Sequence, residues 1–66
     1  MEYFVDKDGQ VTGRLYECGR QWAAEIGRRT DKVMGGFIAT RGIKSDSRRA
    51  SEKFLFDNGC VNIAVA

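Results

Sequence analysis

Apolar and polar residues alternate along most of this chain, which is the period of a strand rather than of a helix. An aromatic-rich run from Glu2 to Val5 stops at Asp6-Lys7-Asp8-Gly9. There Gly9 can take a positive φ and the aspartates can accept from their own backbone, so a hairpin turn is expected. The return strand, Gln10 to Glu17, is expected to put Val11 and Leu15 on one face and Thr12, Arg14 and Tyr16 on the other. Cys18-Gly19-Arg20 supplies the next turn, after which Gln21 to Arg28 alternates again. In that strand Trp22, Ala24 and Ile26 share a face opposite Gln21, Ala23 and Glu25. Arg29-Thr30-Asp31-Lys32 is polar and turn-like, and Val33 to Ile43 reads as a fourth strand. Its Gly35-Gly36 pair suggests a bulge or a close approach of another backbone or ligand. Short connections throughout imply an antiparallel meander.

Between Ser45 and Phe56 the period changes. Ser45, Asp46 and Ser47 are good N-cap residues, Ala50 and Phe54 recur at helical spacing with Leu55 alongside, and no β-branched residue intervenes. Asn58-Gly59 suits a helix stop, and it equally suits a type I′ turn joining Phe54-Leu55-Phe56 to Cys60-Val61 as a hairpin. The length, roughly three turns, favours the helix. Val61 to Ala66 then extends toward a sheet edge. The expected fold is therefore α+β. A small antiparallel β-meander of three or four strands carries one helix, packed on the sheet through Ala50, Phe54 and Leu55, and residues 1–66 form a single binding domain. A chain of 66 residues has room for one core and buries only about 60% of its unfolded surface, so a homodimer would help it.

Composition removes most chemistry. The chain has no histidine and two cysteines, Cys18 and Cys60, without a CxxC pair, so a structural zinc is excluded and no metal site is expected. The commonest general base is missing and neither thiol has a visible base beside it, which points away from catalysis and from any cofactor. Counting a calcium loop from Asp6 places Asp8 third and Glu17 twelfth, both suitable. The same count puts Val11 where glycine is required and Arg14 at a ligand position, so an ordinary turn is expected. Gly35-Gly36 lacks the spacing and the following lysine of a phosphate loop. No apolar run approaches the roughly 20 residues that span a bilayer, and no signal-peptide pattern precedes Glu2. The expectation is a cytoplasmic protein with no membrane contact and two reduced thiols, although one Cys18–Cys60 disulfide is arithmetically open.

Charge adds a direction. The formal net charge is only +2, yet Arg14 to Lys53 holds ten basic residues against five acidic ones, and seven of the ten are arginine. Arginine meets phosphate and carboxylate with a planar fork, so the partner expected is DNA or an acidic protein surface. The candidate contact residues are Arg14, Arg20, Trp22, Arg28, Arg29, Arg41, Lys44, Arg48 and Arg49. Trp22 has a second reading as the largest core residue. Arg48 and Arg49 fall near the start of the proposed helix, where positive charge opposes the dipole, so binding rather than stability is their expected role.

One constellation, Trp22-Ala23-Ala24-Glu25-Ile26, then basic residues, Gly35-Gly36-Phe37, Thr40 and a helix containing Ala50, resembles a known family. It is similar to the three-stranded-sheet DNA-binding domains of the ethylene-response-factor and integrase arm-binding type, over about Arg20 to Phe56. Arg41 to Lys44 is an insertion relative to that pattern, and Met34 stands at the family's third-strand tryptophan. The resemblance implies a sheet laid in the major groove, with Trp22 and Glu25 on the reading strand. The function expected is thus a non-catalytic DNA-binding module acting through an arginine-rich sheet or helix surface. The alternative is a small protein-binding inhibitor or adaptor of the mobile-element (phage) type that docks on a host protein.

Overall fold

Four alternating segments form strands β1 (Glu2–Val5), β2 (Val11–Cys18), β3 (Gln21–Arg29) and β4 (Phe37–Ser45), followed by helix α1 (Arg48–Asp57) and a short β5 (Asn62–Ile63). The structure is a computed structural model and describes residues 1–33 and 36–64. The strands make one antiparallel sheet in the order β4-β3-β2-β1-β5, so the α+β meander is present with five strands where three or four were expected. The added strand is the tail. Leaving the helix, the chain crosses to the far edge and pairs Asn62 and Ile63 with Val5 and Phe4. No described helix is long and apolar enough to cross a membrane.

The first hairpin is held by Asp6, whose Oδ1 accepts from the Asp8 and Gln10 backbone N–H groups at 2.9 and 3.0 Å. Gly9 takes φ +79° to close it. The carboxylate that would open a calcium loop is therefore engaged in its own turn.

β4 begins at Phe37 rather than Val33. The Gly36 N–H donates to the Val33 carbonyl, and the Thr30 N–H donates to the Gly36 carbonyl. Gly35 of the expected bulge, like Met34, lies outside the described residues. Two bulges occur elsewhere. In β2 the register passes from Phe4↔Gly13 to Val5↔Val11, leaving Thr12 extra. This shift takes Val11 out of Leu15's row, against the simple alternation, and brings the Thr12 hydroxyl within 3.7 Å of the Cys60 sulfur. In β4 the register passes from Ile26↔Arg41 to Gly27↔Ala39, and the extra Thr40 donates its hydroxyl to the Ile26 carbonyl at 3.1 Å. Gly27 is essential there, because a Cβ on it would lie 1.9 Å from the Ile38 carbonyl oxygen.

The segment from Arg48 to Asp57 is helical, and the hairpin alternative does not form. Ser47 is the N-cap, its Oγ accepting from the Ala50 N–H, while Ser45 still belongs to β4. Asn58 and Gly59 stop the helix, with Gly59 at φ +102°. Leu55 is fully buried against Phe4, Leu15, Ala24 and Cys60, with Trp22, Ile26 and Phe54 around them. Ala50, expected in that contact, is exposed, and the residue facing the sheet is Ser51, one helical position on. Its hydroxyl donates to the Trp22 carbonyl at 2.9 Å, so this buried polar group is satisfied. Cys18 and Cys60 are free thiols, and burial pushes the Cys60 pKa up, which keeps it protonated and unreactive.

Leu55→Ala is expected to cost about 3 kcal/mol, most of the stability of so small a domain. Gly27→Ala is expected to be at least as damaging, because backbone rather than a mobile side chain occupies the space. Thermal unfolding followed by circular dichroism checks both, and a melting temperature unmoved by Gly27→Ala would contradict the β3–β4 register.

Candidate nucleic-acid interface

The helix covers one face of the sheet. On the other, paired residues across neighbouring strands form rows that follow from register alone. Tyr3, Arg14, Glu25 and Gly42 make one row across β1, β2, β3 and β4, and Tyr16, Ala23 and Lys44 make the next. Beyond the β4 bulge, Arg29 pairs with Phe37 on the same face.

These side chains pack on one another. The Arg14 Nε lies 2.5 Å from the Glu25 carboxylate, with the two side chains only 19% and 23% exposed. The same guanidinium sits 4.7 Å from the Phe37 ring centre and 5.6 Å from that of Tyr16. Arg29 lies over Tyr3 at 5.3 Å, and the Tyr3 and Phe37 rings are 6.3 Å apart at 49°. Phe37 is thereby only 6% exposed although no helix covers it. Burial, with the Glu25 charge adding to it, raises the Tyr16 hydroxyl pKa and holds it neutral. The face offers planar cations and rings held in fixed positions by one ion pair and three cation–π contacts.

Of the sequence candidates, Arg14, Arg29 and Lys44 come together here. Arg20 is exposed in the β2–β3 turn, and Arg28 and Arg41 alternate onto the helix side, Arg41 opposite Ile26. Trp22 also faces the helix. The Arg48 guanidinium lies 4.9 Å over its ring and pairs with Glu2 and Glu52, each at 2.6 Å. Arg48 therefore has a structural task, tying α1 to β1, and the two carboxylates offset its unfavourable place in the dipole. Arg49, its neighbour, is exposed on the helix and shares none of these contacts. Tyr3, Tyr16 and Phe37 were absent from the candidates. Alternation did place Tyr16 beside Arg14, and that was the available signal; Phe37 joins them only through the β4 bulge.

Comparison with protein-family models, with curated proteins and with solved structures finds no match.

The Glu2–Arg48 pair carries a pH signature. The hydrogen bond from Arg48 lowers the Glu2 pKa in the folded state, so the pair's contribution is present above the unfolded value of about 4.3 and is lost as pH falls through the lower folded value. Because both partners are over a third exposed, solvent screening limits the effect to about 1 kcal/mol. Glu2→Gln should therefore lower stability to urea at neutral pH by up to that amount, and the gap should close in acid as pH falls below the lowered folded value. A gap that persists in acid would assign the loss to something other than the charge.

Proposed function

We propose that this chain is a non-catalytic DNA-binding module whose contact surface is the sheet face left bare by α1. The observation that carries the reading is the interleaving there of Arg14, Arg29 and Lys44 with Tyr3, Tyr16 and Phe37. Cations of this kind neutralise phosphates and release counterions, while rings and guanidinium planes offer stacking surfaces for bases. Glu25 engages the Arg14 Nε, so the guanidinium is held in place before any ligand arrives. The cytoplasm is the compartment this reading implies.

A protein partner is the second reading, favoured by one feature. β4 is a nine-residue edge strand with Arg41, Ile43 and Lys44 exposed, a template onto which an acidic extended segment could add.

Fluorescence anisotropy with labelled DNA at several salt concentrations tests the first reading. Binding should weaken steeply as salt rises. The double variant Arg29→Ala, Lys44→Ala, at two exposed positions, should keep the parent melting temperature, lose about tenfold in affinity and flatten the salt slope by roughly 1.5. No binding by the parent at about 50 mM salt would remove the DNA reading and leave the β4 edge as the place to seek a partner.

A further inference from the structure

The two edges of the sheet are finished differently. One ends in β5, which is two residues long and offers little to pair with. The other is β4, an end strand of nine residues whose positions 39–44 are all exposed, with the outward backbone N–H and C=O groups of any unpaired edge. The Thr40 bulge divides this edge, and beyond it residues 41–45 pair without interruption with residues 26–22 of β3. Within that run Arg41, Ile43 and Ser45 share the helix side with Ile26, Ala24 and Trp22, while Gly42 and Lys44 share the bare side with Glu25 and Ala23. Ile43 stands at the centre of the run and is 37% exposed, although Ala24 opposite it is fully buried.

We infer that residues 41–45 are a self-pairing edge, through which two copies of this chain join β4 to β4, antiparallel, about a two-fold axis at Ile43. Directly opposed residues of an antiparallel pair share a face, so the axis passes through a residue and not between two. An axis at Arg41 or at Lys44 sets two like charges against each other, which is destabilising. One at Gly42 opposes two positions without side chains, and one at Ser45 runs past the strand into the Ser47 cap. The axis at Ile43 brings two half-exposed isoleucines into contact and uses the whole uninterrupted run. It places each Arg41 opposite Ser45, where the acidic Asp46 of the second copy is next along the chain. Each Lys44 comes opposite Gly42, which has no side chain to displace the lysine stem. No cation is set directly against a cation. The pairing joins two five-stranded sheets into one, keeps both helices on the same side and removes the long edge. It gives a chain of 66 residues the homodimer that its small core favours, and it does not depend on what the bare face binds. An edge closed in this way is no longer open to a foreign strand.

A run this short makes a small interface, so the dimer is expected to be concentration dependent, with a Kd on the order of 10 μM. Sedimentation equilibrium of the purified full chain between about 2 and 500 μM should show the mass rising from one chain to two. Ile43→Lys sets two ammonium groups at the axis and should weaken the dimer at least about tenfold. Because the position is exposed, circular dichroism of that variant should show the parent fold. A second measurement reads the register. In a Cys18→Ser background, with Cys60 buried, Ile43→Cys puts two thiols at the axis on Cα atoms about 4.5–5.5 Å apart, within disulfide reach. Mild oxidation should cross-link it at least about tenfold faster than Lys44→Cys in the same background, whose thiols lie off the axis. A parent chain that stays monomeric at the highest concentration, a dimer undisturbed by Ile43→Lys, or cross-linking of Ile43→Cys no faster than that of Lys44→Cys overturns the proposal. Should Ile43→Lys fail to fold, the parent mass and the two cysteine variants decide.

Discussion

Leu55 of α1 seated on Phe4, Leu15 and Ala24 is the contact on which the rest of the structure depends. Those three residues come from β1, β2 and β3, so one helical side chain fastens three strands, and Cys60 just past the helix closes the cluster. The helix can lie this close because Gly13, beneath it, has no side chain: a Cβ there would stand 2.7 Å from the Cys60 sulfur and 3.1 Å from Leu55. Ser51 extends the same stripe with a hydrogen bond to the Trp22 carbonyl, and Arg48 extends it again with its ion pairs to Glu2 and Glu52. The tail follows from the same seat. Once α1 is fixed, the chain emerges beside β1 and forms the fifth strand.

A ten-residue helix covers one face of a five-stranded sheet and leaves the other to cover itself. Here that face is shielded by rings and arginines lying flat on one another rather than by a second apolar layer. Taking the Arg14–Glu25 pair partly out of water has a desolvation cost, and the cation–π contacts to Phe37 and Tyr16 help to offset it. The outcome bears on function. Side chains already ordered lose little further entropy when a ligand arrives, and a face built of planar cations and rings is suited to planar, anionic polymers.

Arginine abundance alone did not indicate a surface. Arg14, Arg29 and Arg48 each lie over an aromatic ring, but on two sides of the sheet, with Arg48 committed to holding the helix. Arg28 and Arg29 are adjacent and point to opposite faces, as neighbours in a strand must. The positive balance of the central segment is therefore divided by the pleat, and only Arg14, Arg29 and Lys44 share the bare face with Tyr3, Tyr16 and Phe37.

Local chemistry by itself determined the turn at Asp6 and Gly9, the β2 and β3 alternation, the Ser47 cap and the Asn58-Gly59 stop, because each depends on residues within a few positions of one another. The α+β meander followed from short connections between those segments. Tertiary structure decided the rest. The bulges at Thr12 and Thr40 shift the pairing by one residue, and with it the faces of Val11 and Phe37, and the shift shows only once each strand is paired with its neighbour across the turn. The choice of Ser51 over Ala50 for the buried stripe depended on which way the whole helix rolled onto the sheet, where a carbonyl of Trp22 waited for a donor. The bare face is likewise a product of pairing. Tyr3, Arg14 and Glu25 are far apart in the chain and become one row only when β1, β2 and β3 are in register.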